Sequence, residues 1–327
     1  MSEFLANILY GINSIIGSYG WSMILFTLLV KLIILPLDYK SRKGMRGMTR
    51  LQPEMAKLQK KYANDKEKLN QKTAELYRRE GVSPMSGCLP MIVSMVVLWF
   101  MWSAMRLVAN TELVKQCVDL LVNGSTQYEG FLWIRNIWMP DSPFTPVIPD
   151  QNSLMMIQAN EWSAVFDTLN ADQLAALALH GITDVNAFNA ETVFAALQTL
   201  PAYAEQSQLW SFMPSVNLIL AQLNIYASNN GWFVLPTLSA VTQILMTKSQ
   251  PQSAPADPNS SQAGTQNFMK YFFPLFSLWI CSSYNALFSL YWVISNVFSW
   301  VQSLILNKVF ENMEKKEKTT VKEGTVK

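Results

Sequence analysis

One histidine, His180, and three scattered cysteines, Cys88, Cys117 and Cys281, are all that 327 residues offer of imidazole and thiol chemistry. Neither a disulfide framework nor a Cys/His metal site can be drawn from such a set. A Gly-x-Ser-x-Gly elbow and a membrane-embedded histidine pair are also missing, which argues against an intramembrane hydrolase. No enzymatic activity, cofactor or metal is expected, and a lone histidine at an exposed helix end reads as structural. Charge is scarce too: 15% of residues are Asp, Glu, Lys or Arg, where soluble domains carry roughly a quarter. Residues 2–16 lack a basic n-region and an A-x-A-like cleavage site, so a removed signal peptide is not expected.

What the sequence has in abundance is apolar surface, in half of its residues. Runs at 21–37, 89–108 and 232–247 approach the ~17–25 residues that span a hydrocarbon core. The stretch 271–306 is too long for one span and is interrupted at Cys281-Ser282-Ser283-Tyr284-Asn285, so it reads as two helices. The pattern predicts an all-α polytopic membrane protein with five spans at 21–38, 89–108, 232–247, 271–284 and 286–306.

The net charge of +2 conceals an asymmetry. Residues 39–86 hold thirteen Lys/Arg against five acids, residues 109–231 hold two against eleven, and the tail at 307–327 adds six lysines. The positive-inside rule puts 39–86 and the tail in the cytoplasm, and the linker at 248–268 with them. The N-terminus and 109–231 are then outside, with Cys117 open to an impermeant thiol reagent.

At the N-terminus, Phe4, Leu5, Ile8, Leu9, Ile12, Ile15 and Ile16 recur at helical spacing. They read either as an outer-surface amphipathic helix over 1–18 or as an extra piece of the first span, with a break marked by Gly17 and Gly20. In 39–86, Leu51, Met55, Leu58 and Tyr62, then Leu69, Leu76 and Tyr77, predict a basic helical hairpin whose second arm Asn64 or Asp65 caps. Within 109–231, the segment at about 142–228 is proline-rich, then Ala/Leu-rich and acidic, and predicts two or three short helices.

One charge stands inside the first apolar run. Lys31 lies seven residues before Asp38, roughly 10 Å inside the helix end at ~1.5 Å per residue. Either it snorkels to the headgroups or it faces a water-filled cavity. Thr27 shares its face, and polar residues recur on other spans: Ser94; Thr237, Ser239, Thr242 and Gln243; Ser289, Trp292, Asn296, Ser299, Gln302 and Ser303. Together they predict a hydrophilic interior.

The segments ILFTLLVKLIILPL, LQPEMAKLQKKYANDKEKLNQKTAELYRREGVSPMSGCLPMIVSM, FLWIRNI, NGWFVLPTLSAVTQILMTK and LFSLYWVISNVFSWVQSLI resemble the YidC/Oxa membrane protein insertase family over most of 15–140 and 230–310. The resemblance implies five spans around a groove open to cytoplasm and lipid, and an activity in inserting and folding nascent membrane proteins. It implies nascent chains, ribosomes, targeting factors, the Sec translocon and the bilayer as partners, with no specific nucleic-acid sequence. The family's groove charge is usually arginine, and its position matches Lys31. The groove threonine matches Thr27, and an aromatic that meets nascent chains falls at Tyr291 or Trp292. The expected groove set is Lys31, Thr27, Ser94, Gln243, Tyr291, Trp292, Asn296 and Ser299. Three departures stand out: lysine for arginine, Ser94 where some members carry glutamine, and the 142–228 insertion. The large outer domain that precedes the core in some bacterial members is not seen either. The alternative function is a small-anion transporter or channel with Lys31 as the anion site, against which stands the lack of an inverted repeat. The insertion is expected to be dispensable for a simple single-span substrate.

Overall fold

The computed structural model describes residues 2–81, 89–218, 222–250 and 261–324. Cys88 and the chain leading into the second expected span lie outside them, as do residues 251–260 of the expected linker. Helices enter the expected linker from both sides, one ending at Ser249 and the next starting at Ser261.

The helices are α1 (Ser2–Ile16), α2 (Tyr19–Lys61), α3 (Lys66–Arg79) and α4 (Leu89–Asn123), then five short ones: α5 (Gln151–Met155), α6 (Ala159–Phe166), α7 (Ala171–Ala178), α8 (Ala190–Gln198) and α9 (Pro201–Gln206). Strands β1 (Ser215–Asn217) and β2 (Gln222–Asn224) precede α10 (Val234–Ser249), α11 (Ser261–Ser283) and α12 (Ala286–Gly324). The protein is thus mostly helical, with an antiparallel ribbon that pairs Val216 with Leu223 and that the all-α expectation did not contain. The described part of the insertion holds five helices rather than two or three. Each is short but separately started, by Asp150, Asn170 and Asn189 side chains, by the Gln158/Glu161 capping box and by Pro201 in the first turn of α9.

The first helix breaks from the second where Gly17 takes φ +74°, as glycine does after a helix end. From Tyr19 the chain continues through Pro36 and Pro53 to Lys61 as one helix. No boundary falls near residue 38. Proline removes one backbone donor, and that loss is tolerated where neighbouring helices support the chain. Asp65 then caps α3, its carboxylate accepting from Lys68 N at 3.0 Å, and Arg79 reaches back to Glu54 of α2 at 2.9 Å.

Contacts divide the chain into two units, Met1–Phe26 with Trp99–Ser239 and Ser277–Val293, and Thr27–Leu98 with Ala240–Phe276 and Ile294–Lys327. In the first, the insertion packs on α4: Leu113, Val114, Cys117, Leu120 and Trp162 are buried, and Trp162 meets Phe188 edge-on at 5.1 Å. His180 Nε2 lies 3.1 Å from the Leu121 carbonyl, a structural position. Fully buried Asp141 starts α10, accepting from Trp232 N at 2.9 Å and Leu235 N at 2.7 Å. Asn230 holds the backbone of Asn136, Met139 and Pro140 through its amide. Gly20 is required by contact, since a Cβ there would run into the Phe131 ring.

The long helices reverse the usual sorting of residues. Leu29, Leu32, Ile33 and Leu37 of α2, Leu275 and Trp279 of α11, and Leu304 and Ile305 of α12 are exposed, while Thr27, Ser239, Thr242, Gln243, Ser277, Asn296, Ser299, Gln302 and Ser303 are buried. Apolar out and polar in is the sorting that lipid imposes. Among the described residues, Tyr19–Lys61 and Ala286–Lys316 are long and apolar enough to cross a membrane by length and composition.

Candidate functional site

The second unit contains a polar seam between α2 and α12. On α2, Thr27, Lys31, Asp38, Arg42 and Arg46 are spaced four, seven, four and four residues apart, a single stripe on a 3.6-residue helix. On α12, Asn296, Ser299, Ser303 and Asn307 step by three, four and four. Numbers rise together along both stripes, so the helices run parallel here.

Lys31 Nζ donates to Ser299 Oγ at 3.0 Å, and Arg42 Nη1 donates to Ser303 Oγ at 2.6 Å. Ser303 Oγ in turn donates to the Ser299 carbonyl at 2.7 Å. Lys31 and Arg42 are eleven residues apart, yet they end on hydroxyls one helical turn apart, because the lysine reaches forward and the arginine back. Asp38 lies between them and accepts from Gln302 Nε2 at 3.4 Å. The local balance is therefore two cations against one carboxylate. Burial pulls the Arg42 guanidinium below its ordinary pKa, and the Asp38 charge opposes that shift.

Beyond Arg42 the seam turns ionic. Arg46 Nη2 donates to Asn307 Oδ1 at 3.3 Å, Glu314 lies 3.3 Å from Arg46 and 3.0 Å from Arg50, and the Arg46 guanidinium stands 5.2 Å from the Phe310 ring centre. Desolvation tends to raise the Glu314 pKa, but Arg50 and then Arg46 outweigh it and hold the carboxyl below its ordinary value. On the other side, Asn296 Nδ2 donates to Thr242 Oγ1 at 3.4 Å beside buried Gln243. Ser41 Oγ and Gln302 Oε1 are buried and make no hydrogen bond within the protein. Buried polar atoms are normally paired, so the seam retains hydrogen-bonding capacity.

Of the expected groove residues, Lys31, Thr27, Gln243, Asn296 and Ser299 fall in this unit. Tyr291 and Trp292 belong to the other, buried against Phe288 at ring-centre distances of 6.4 and 5.6 Å. Ser94 lies on α4, and its side chain is outside the described residues. Several other polar candidates bond locally: Ser239 to Ser277, Ser289 to the Cys281 carbonyl and Thr237 to the Phe233 carbonyl. Sequence reasoning missed Asp38 and Arg42. The signal was the register 31, 38, 42, 46, which places one end of the basic loop on the face of the intramembrane lysine.

The sequence model of the 60Kd inner membrane protein family matches residues 11–315. The chain belongs to this family, that of the YidC/Oxa insertases. As a member it is a cell-membrane protein, in keeping with its two long apolar helices. It is 44% identical over 106 residues to a membrane protein insertase YidC of Fusobacterium nucleatum, covering 32% of this chain and 52% of that protein. Against one of Clostridium perfringens it is 36% identical over 144 residues, 43% of this chain and 52% of the relative. Against one of Ruthia magnifica it is 48% identical over 93 residues, 28% and 17% of the two. The matched part spans about half the length of the first two relatives.

Proposed function

We propose that this YidC/Oxa family member is a membrane protein insertase and chaperone that moves short hydrophilic segments of nascent membrane proteins across the bilayer through a groove lined by the polar seam. The observation that carries the reading is the Lys31–Ser299 hydrogen bond on a helix whose other face is exposed and apolar. A polar, positively charged surface inside the hydrocarbon layer shortens the apolar distance that a substrate tail must cross and attracts acidic residues in it. Lys31, Thr27, Ser94, Gln243, Asn296 and Ser299 would contact the tail, with Tyr291 and Trp292 meeting the apolar part of the substrate.

In this reading the spans are 21–38 in α2, 89–108 in α4, 232–247 at α10, 271–284 at the end of α11 and 286–306 in α12, with the N-terminus and residues 109–231 outside and the C-terminus in the cytoplasm. The ends of α2 and α12 together with α3 present lysines and arginines to ribosomes, targeting factors or anionic lipid, each cation near such a surface being worth about 1 kcal/mol. Cooperation with the Sec translocon belongs to the same proposal.

Photo-crosslinkers at Thr27, Lys31 and Tyr291 should capture ribosome-bound nascent chains, whereas one at lipid-facing Ile33 should not. Equal capture at Ile33 and Lys31 would remove the groove from the account.

A further inference from the structure

The 142–228 insertion has two halves of opposite character. Residues 150–205 carry seven acids and neither lysine nor arginine, whereas from Gln206 to Thr247 no Asp, Glu, Lys, Arg or His occurs at all. The acidic half exposes single apolar side chains among its charges, Leu179 and Met155 with Met156 and Val185, whereas the charge-free half exposes a run that includes aromatic rings: Phe212 is 86% exposed and Leu218 55%, with Leu209, Trp210 and Met213 exposed beside them.

These side chains stand on a hydrogen-bonded ribbon. Trp210 N donates to the Ile225 carbonyl at 2.8 Å, Ile225 N to Pro214 O at 2.9 Å and Ala227 N to Gln208 O at 2.9 Å, next to the β1–β2 ladder. The Trp210 and Phe212 rings lie 5.9 Å apart. Folding thus holds the apolar groups outward rather than leaving them loose, and exposed apolar groups gathered on one ordered ribbon mark a contact surface.

We propose that Leu209, Trp210, Phe212, Met213 and Leu218 form a membrane-contacting surface that dips into the headgroup region of the outer leaflet. This rests on the outer location of residues 109–231 proposed above. Lipid is the occupant because the stretch lacks charge of either sign and places tryptophan among aliphatic side chains, the composition of a membrane–water boundary. It also continues through Trp232 into α10 with no residue that must stay in bulk water. The acidic half is repelled by anionic headgroups, so the two halves orient the insertion: acidic helices towards water, ribbon towards lipid.

The test uses the full-length chain with its three native cysteines replaced and single spin-labelled cysteines at Phe212, Leu218 or Asp172. The chain is reconstituted into vesicles of mixed zwitterionic and anionic phospholipid. Labels at 212 and 218 should collide more with oxygen than with a water-soluble nickel chelate, at a depth of about 5–10 Å. The label at exposed Asp172 should show the reverse. Nickel access at 212 equal to that at 172 would overturn the proposal, and so would exclusion of both collision partners, which means a protein cover. Failure of the topology shows separately, as an Asp172→Cys chain that an impermeant thiol reagent cannot label from outside intact cells.

Discussion

The Lys31 ammonium and the Ser299 hydroxyl meet at 3.0 Å, joining α2 to α12 across 268 positions of sequence. Beside them stand Arg42 on Ser303 and Asp38 on Gln302, so the net charge of the seam depends on three side chains together.

Removing Lys31 leaves Arg42 balanced by Asp38. Lys31→Ala should slow insertion of acidic-tailed substrates by about tenfold, equivalent to ~1.4 kcal/mol, and spare neutral-tailed ones. Lys31→Arg should retain activity. Adding Asp38→Asn to Lys31→Ala restores one net positive charge and should recover much of the loss. Insertion assays at matched protein levels decide this, and wild-type insertion of both substrate types by Lys31→Ala would contradict a groove role.

Topology needs a different reporter from the one the sequence suggested. Cys117 is fully buried, and burial pushes its thiol pKa up, so it will not report solvent access. With the native cysteines replaced, Asp172→Cys should be labelled by an impermeant thiol reagent on intact cells and Glu67→Cys only after lysis. The opposite order would sink the five-span arrangement.

Glu161, 3% exposed, accepts from Asn110 at 2.7 Å and Gln158 N at 2.9 Å and lies 3.4 Å from Arg106. Glu161→Ala leaves a partly buried guanidinium without its counter-ion and should lower stability by about 3–5 kcal/mol. The unfolding temperature in detergent should fall clearly, whereas Glu191→Gln on the exposed start of α8 should change it little. These contacts also mean that excising the whole insertion uncovers α4, so a linker in its place should lower stability even where simple substrates are still inserted.

The Glu314 carboxyl sits below its ordinary pKa through Arg50 and Arg46. Its ion pairs therefore contribute fully above the ordinary carboxylate value and are lost as pH falls through the depressed one. With solvent screening the effect should stay below about 1 kcal/mol. The hydrogen-exchange protection factors near Glu314 should fall at low pH, and Glu314→Gln should abolish that dependence.

Much of this was readable in advance. The break after Ile16 follows from Gly17 and the start of α3 from Asp65, whereas polar residues at helical spacing in apolar runs did not name Ser299 as the partner of Lys31. Arg42 was not, because charge counting assigns a residue to the compartment of its backbone, whereas a long side chain acts a full turn or more away. The five short helices escaped because one or two turns give too little periodicity, and the ribbon because its apolar residues do not alternate. Tyr291 and Trp292 were placed by resemblance, and burial against Phe288 is a property of packing that spacing alone does not contain.

The α2–α12 seam also dictates an order of events during synthesis. Its first half leaves the ribosome early and its hydroxyls emerge some 260 residues later, so the seam is a closure of high contact order. Until then Lys31 and Arg42 lack their serine partners, and the nascent chain carries exposed cations at the membrane before its last helix can quench them.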